Sequence, residues 1–311
     1  MARLAFLGTP EIAVPPLRAL VDAGHDIALC VTRPDRRRGR GSAVTPSPVK
    51  AAGLELGLPV SHSMEDVAEA GVELAVVVAY GRIIPASLLA RVPMVNLHFS
   101  LLPRWRGAAP VERALLAGDE ETGVCLMKLE EGLDTGPVYA RIVVPIGPDV
   151  DLSTLREELV TAGCALLVAA LAHGVAGLPA PVPQSGEVTL AAKVTPEDLH
   201  LQWEQPAVQL HRVVRLGRAW TTFRGKRLGV LRATPVATPP GEAGHAGAGP
   251  PGTAAPPGTA GPPGTLVGTV VSTGDGALAL DEVQPESRAP MPAGDWARGV
   301  RLLAGERLGS D

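Results

Sequence analysis

The chain has 311 residues, 46% of them apolar and 19% charged, with a formal net charge of −4. That is enough apolar material for two packed domains, and it excludes a chain disordered throughout. The negative balance excludes a uniformly basic nucleic-acid coat, and 3% aromatics are too few for stacked single-strand platforms.

In chain order, Leu4–Leu7 is a short apolar run that stops at Gly8, and Ile12 to Val21 follows with helical spacing. Ile27–Thr32 reads as a second strand. Pro46-Ser47-Pro48 opens a helix over Val49–Leu56. Leu74–Tyr80 is wholly apolar and β-branched, as a central parallel strand buried on both faces should be. Val95–Phe99 is a further strand, Ala108–Leu116 a helix, and Val124–Leu129 and Val138–Val144 are strands. Ser153–Ala172 reads as a long helix capped by Ser153 and closed by Gly174. Strand–helix alternation predicts a doubly wound α/β domain, with a mostly parallel Rossmann-like sheet, over residues 1–179.

The alternation then stops. Residues 180–199, rich in Pro, Gly and Ser, read as a linker. Residues 200–311 carry short strand-like pieces at Thr221–Phe223, Arg227–Leu231, Thr265–Val271 and Ala277–Val283, which predicts a smaller β-rich, OB-like domain. Residues 238–265 are almost all Gly, Pro, Ala and Thr and read as a disordered insert.

The three cysteines, Cys30, Cys125 and Cys164, are odd in number and far apart, as expected in a reducing cytosol. The longest apolar runs are core-length, and Met1-Ala2-Arg3 leads directly into a strand pattern. The expectation is a soluble cytoplasmic protein with no membrane contact. Charge is uneven: residues 1–198 hold 17 Lys and Arg against 23 Asp and Glu, residues 199–311 hold 11 against 9. Arg212, Arg215, Arg218, Arg224, Lys226, Arg227 and Arg232 follow one another without an intervening acid, and Arg36, Arg37, Arg38 and Arg40 form a second basic run on a loop.

Gly8-Thr9-Pro10 stands where a dinucleotide phosphate loop would be, but the Gly-x-Gly-x-x-Gly pattern is missing. Asn96 and His98, two apart on a strand, share one face at its carboxyl end, where open α/β sheets bind ligands. They read either as core polar residues or as two donors for an oxygen that gains charge in acyl transfer. Asp134, between Gly132 and Gly136, reads either as a turn former or as a carboxylate that orients an imidazole or accepts a proton. Arg104 and Arg106 read as a surface loop or as a basic rim above that pair. No serine sits in a Gly-x-Ser-x-Gly elbow, and no His/Cys cluster has metal-ligand spacing.

The stretch Asn96-Leu97-His98-Phe99-Ser100-Leu101-Leu102-Pro103-Arg104-Trp105-Arg106-Gly107-Ala108-Ala109-Pro110, followed by Gly132-Leu133-Asp134-Thr135-Gly136, resembles the signature of the folate-dependent formyltransferases. Phe6 to Pro10, the run from Arg33 to Lys50 and Val77-Val78-Ala79-Tyr80-Gly81 are similar to the branch of that family whose acceptor is methionyl initiator tRNA. The resemblance implies 10-formyltetrahydrofolate as co-substrate and no metal. It implies a catalytic trio of Asn96, His98 and Asp134, and Ser100, Leu101, Leu102 and Pro103 at the folate. It also likens the loop around Arg40 to the family's insertion at the tRNA acceptor end and the second domain to its tRNA-binding module; charge then predicts phosphate contacts from Arg36, Arg37, Arg38, Arg40, Arg212, Arg215, Arg224 and Lys226, and the enzyme is expected to be a monomer. Three places depart from the family pattern: Phe99 where a small residue is usual, Ser42-Ala43 where lysines are usual, and the segment Arg215–Trp220. Formyl transfer to another amine such as a sugar nucleotide or glycinamide ribonucleotide, folate-linked hydrolysis, an NAD-dependent oxidoreductase and a non-catalytic tRNA-binding module remain as alternatives.

Overall fold

The structure is a computed structural model that describes residues 1–37, 44–236 and 261–310. It divides into two compact units. The first comprises Met1–Arg113, Glu120–Gly147 and Thr154–Ala192, the second Ala114–Asp119, Pro148–Ser153 and Lys193–Asp311.

The first unit is built on a seven-stranded sheet. Its strands are β1 (Arg3–Gly8), β2 (Asp26–Val31), β5 (Val60–Ser61), β6 (Leu74–Val78), β7 (Met94–His98), β9 (Glu121–Lys128) and β10 (Val138–Pro145), in the order β10-β9-β7-β6-β1-β2-β5. The pairs β1–β2, β1–β6, β2–β5 and β6–β7 are parallel, and β9 is antiparallel to both β7 and β10. The strand order runs outward in both directions from β1 and β6, which makes the sheet doubly wound. All five residues of β6 are buried, the cost and the reason of an unbroken Leu-Ala-Val-Val-Val run. Gly8 ends β1 because space demands it: a Cβ there would lie 2.8 Å from the Phe6 ring and 2.9 Å from the Ala13 methyl.

Small pairings complete this unit. β3 (Arg36–Arg37) is antiparallel to β4 (Val44–Thr45), and β8 (Arg106–Gly107) is parallel to β11 (Leu190–Ala191). Helix α1 (Val14–Asp22) starts with Pro15 and Pro16, and α2 (Pro48–Glu55) is capped by Ser47, whose Oγ accepts from the Lys50 amide at 3.0 Å. Helices α3 (Ala86–Leu89), α4 (Pro110–Ala117) and α5 (Leu152–Leu171) follow, with the end of α4 from Ala114 and the first two residues of α5 counted in the second unit. Helix α5 begins one residue before Ser153, so Ser153 lies in its first turn and not at the cap.

The second unit holds an antiparallel sheet of β12 (Ala219–Phe223), β13 (Lys226–Val236), β14 (Leu266–Val267), β15 (Val270–Ser272), β16 (Ala277–Pro285) and β17 (Met291–Pro292), in the order β12-β13-β16-β15-β14 with β17 on β16. Leu210, Leu228, Val230, Val271, Leu280, Trp203 and Trp296 fill its core. The expected strand Thr265–Val271 is broken into β14 and β15 by Gly268, at φ +61°. Two helices, α6 (Ala207–Val214) and α7 (Ala293–Val300), were not expected from the sequence.

Two expectations from composition are corrected. Residues 180–192 are not free chain: Val182 and Val138 exchange both backbone hydrogen bonds at 2.8 Å, and β11 pairs with β8. Proline and alternation-poor sequence suit an extended strap that takes its partners from another strand, so apolar periodicity does not reveal it. The expected insert also ends early. Residues 238–260 lie outside the described residues, but Gly264 donates to the Ser272 carbonyl at 2.8 Å and Thr265 is buried. No helix among the described residues is long and apolar enough to cross a membrane.

Candidate active site

Strand β7 carries Asn96 and His98 to the carboxyl end of the parallel sheet. Register fixes them: Asn96 lies opposite Val77 on one side and Met127 on the other, and His98 opposite Cys125. Leu97 and Phe99 point the other way, where both lie beside Gly163 of α5. Phe99 is buried there, so its departure from the family pattern leaves the Asn96–His98 face untouched.

Asp134 meets that face. Its Oδ1 lies 3.4 Å from Asn96 Nδ2, and its Oδ2 lies 3.6 Å from His98 Nδ1 and accepts from the Gly107 amide at 2.9 Å. The trio of side chains is therefore brought together. His98 is 5% exposed and Asp134 14%, so their interaction is little diluted by water. The other ring nitrogen, Nε2, lies 2.9 Å from the Trp105 carbonyl. A carbonyl only accepts, so Nε2 carries a proton and Nδ1 is the ring atom left to the reacting groups.

Two of these partners, the Trp105 carbonyl and the Gly107 amide, are backbone groups that no side-chain motif signals. The turn that presents them is unusual: Trp105 has φ +61°, Gly107 φ +123° and Asp134 φ +49°. Strained backbone of this kind persists where surrounding bonds over-determine it. Here the Trp105 amide donates to Thr189 Oγ1 at 2.8 Å, and the amides of Ala108 and Ala109 both donate to the Ala191 carbonyl. The strap of residues 180–192 thus shapes the turn.

The loop expected at the folate is mostly turned inward. Ser100, Leu102 and Pro103 are buried, and only Leu101 is half-buried. The Ser100 hydroxyl donates to the Arg104 carbonyl at 2.6 Å, and Leu102 packs on Cys125 and Met127. Ser100 and Leu102 thus brace the turn that carries Trp105.

The basic residues divide likewise. Arg215 is buried, with Nη1 3.5 Å from the Val150 carbonyl. Arg212 donates to the Ala117 carbonyl and to Gln209, and Arg224 forms a two-pronged pair with Glu306 at 2.6 and 2.9 Å. Lys226 is exposed. Arg38 and Arg40 lie outside the described residues, and of Arg36 and Arg37 only the backbone is described, paired with Thr45 and Val44. Among the described residues no three His, Cys, Asp or Glu side chains are grouped to hold a metal.

The sequence profile of the family described as "Formyl transferase" matches residues 2–171, and that of "Formyl transferase, C-terminal domain" matches residues 193–301. The chain belongs to the formyl transferase family. Among relatives of this formyl transferase, a methionyl-tRNA formyltransferase of Heliobacterium modesticaldum is 42% identical over 329 residues, covering 99% of this chain and 100% of the relative. One of Paenarthrobacter aurescens is 43% identical over 312 residues, covering 96% and 97%. The fold is shared with an N-formyltransferase of Helicobacter canadensis, solved with folinic acid and dTDP-3-aminofucose: TM-score 0.64, 15% identity, 90% of this chain and 99% of that one. A methionyl-tRNA formyltransferase of Clostridium thermocellum gives a TM-score of 0.53 at 15% identity over 75% and 93%.

Proposed function

We propose that the chain transfers the formyl group of 10-formyltetrahydrofolate to the free amine of methionine carried on initiator tRNA. The relatives named for this reaction match it nearly end to end at 42–43% identity. The observation that carries the chemistry is the Asp134 carboxylate within 3.4 Å of the Asn96 amide and 3.6 Å of the His98 ring.

In this reading the neutral amine attacks the formyl carbon directly. The carbonyl oxygen becomes an oxyanion, toward which Asn96 Nδ2 and a protonated His98 Nδ1 donate. Asp134 accepts the proton that the attacking nitrogen sheds. The bond from the formyl carbon to the folate nitrogen then breaks, and that nitrogen takes up a proton. One C–N bond forms and one breaks, with no redox change. The electrostatics suit the intermediate, because the donors are fixed before charge develops and need little reorganisation.

All three groups come from one chain, so a monomer suffices. Exposed basic residues such as Lys226 would neutralise tRNA phosphates without reading sequence. The use of aminoacylated tRNA supports a cytoplasmic location.

The test is a formyl-transfer assay with 10-formyltetrahydrofolate and methionyl initiator tRNA, with elongator methionyl-tRNA as control. Asn96→Ala and His98→Ala should each lower kcat on the order of 10²–10³-fold, with little effect on folate binding. Near-normal turnover in either variant refutes the assignment.

A further inference from the structure

Asp134 is held from two directions, and only one belongs to the trio. Residues Glu130–Thr135 are exposed apart from Asp134 itself, so the loop needs an anchor outside its own sequence. Gln184, on the strap, supplies it. Its Nε2 donates to the carbonyl oxygens of Asp134 and Gly136, each at 2.8 Å. Its Oε1 accepts from Arg106 Nε at 3.0 Å and Nη2 at 2.7 Å. Carbonyls only accept and a guanidinium only donates, so the amide has one possible orientation. Arg106 in turn sits between Trp105, whose carbonyl accepts a hydrogen bond from His98 Nε2, and Gly107, whose amide holds Asp134 Oδ2. One side chain therefore ties the turn that orients His98 to the loop that delivers Asp134.

We propose that Gln184 is a positioning residue for formyl transfer: bridging Arg106 to the Asp134 and Gly136 carbonyls, it holds the Asp134 carboxylate against Asn96 and His98. The proposal rests on the reading of Asp134 as the group that acts with His98. A left-handed φ of +49° at Asp134 is held from both ends: Gln184 donates to its carbonyl, and the Gly107 amide donates to its carboxylate.

The decisive variant is Gln184→Glu. It is nearly isosteric and keeps the acceptor for Arg106, but it turns an oxygen toward two carbonyl oxygens. In the formyl-transfer assay kcat should fall on the order of 10²-fold, as a misplacement near 1 Å does, with little change in either KM. A merely structural role predicts that this loss multiplies with that of Asp134→Asn. A positioning role predicts that Gln184→Glu/Asp134→Asn is no slower than Asp134→Asn alone, because the carboxylate it positions is already gone. If Gln184→Glu does not fold, Arg106→Met serves: it leaves Gln184 in place but frees its amide to turn, and its loss should likewise vanish in the Asp134→Asn background. Wild-type turnover in Asp134→Asn sinks the catalytic reading itself. A slow Asp134→Asn beside a Gln184→Glu of wild-type rate, or multiplied losses in the double variant, overturns the positioning role alone.

Discussion

Replacing Gly107 with alanine tests whether the backbone turn, and not only the side-chain trio, makes the site. Gly107 has φ +123°, a conformation that residues with a Cβ avoid, and the new Cβ would lie 2.9 Å from the Ala191 carbonyl oxygen. That neighbour is backbone and already accepts the amides of Ala108 and Ala109, so it cannot swing away. The conformational strain alone is about 1–3 kcal/mol. If the turn shifts to relieve the clash, the 2.9 Å bond from the Gly107 amide to Asp134 is lost, and a bond to a charged acceptor is worth about 1.5–3 kcal/mol. The variant should unfold at a lower temperature and lose kcat on the order of 10²-fold. Gly57→Ala is the control: Gly57 also has a positive φ, +70°, but nothing lies within 4 Å of its would-be Cβ. It should cost roughly 1–2 kcal/mol of strain and leave kcat unchanged. A Gly107→Ala protein with the wild-type melting temperature and kcat would refute the role given to the turn.

Three further outcomes follow from the charges. Burial lowers the pKa of His211, and the Arg215 guanidinium lowers it further, against partial opposition from Asp149 and Asp281. The unfolded chain therefore binds more protons just below the ordinary value near 6.5, and the stability this residue supports is present above that value and lost as pH falls through the folded pKa. Urea midpoints should drop on acidification from about pH 7 to about pH 5, and His211→Gln should flatten that slope; an unchanged slope counts against it. Lys226→Ala should reduce the salt slope of tRNA affinity by roughly 0.7–0.9 for one lost phosphate contact. Arg224→Ala should leave that slope alone and lower thermal stability, because Glu306 loses the partner that holds its carboxyl below the usual range; equal slopes in both variants would contradict the division. Burial pushes the Cys30 thiol up to about 12, so iodoacetamide should label it only after unfolding, and prompt labelling of the native protein would show the strand end to be open.

Much of the first unit is legible because its signals are local. The short, β-branched Leu74–Val78 run favours a strand buried on both faces, and Ser47-Pro48 announces a helix through a cap and a fixed φ. The second unit is less so. Helix α6 buries Ala207, Leu210, Val213 and Val214, a helical spacing masked in the sequence by exposed Val208 and the surrounding arginines. Nor do the members of that series share one setting: Arg215 is buried and Arg224 is paired with Glu306. Sequence counts charges but does not say which are already neutralised by a distant partner.

The active site shows the same boundary from the other side. Asn96 and His98 can be paired from strand periodicity alone, since two residues apart means one face. What periodicity cannot supply is the atom that works. The Trp105 carbonyl occupies Nε2, which leaves Nδ1 to face Asp134. That carbonyl stands where it does because Thr189, 84 residues away, accepts the Trp105 amide. The strap of residues 180–192 carries little apolar pattern and no acid or base of the trio, so it reads as filler. Yet through Thr189 and Ala191 it fixes the turn that sets the protonation geometry of the imidazole, and the chemistry of the site is therefore governed by hydrogen bonds to a segment whose composition advertises nothing.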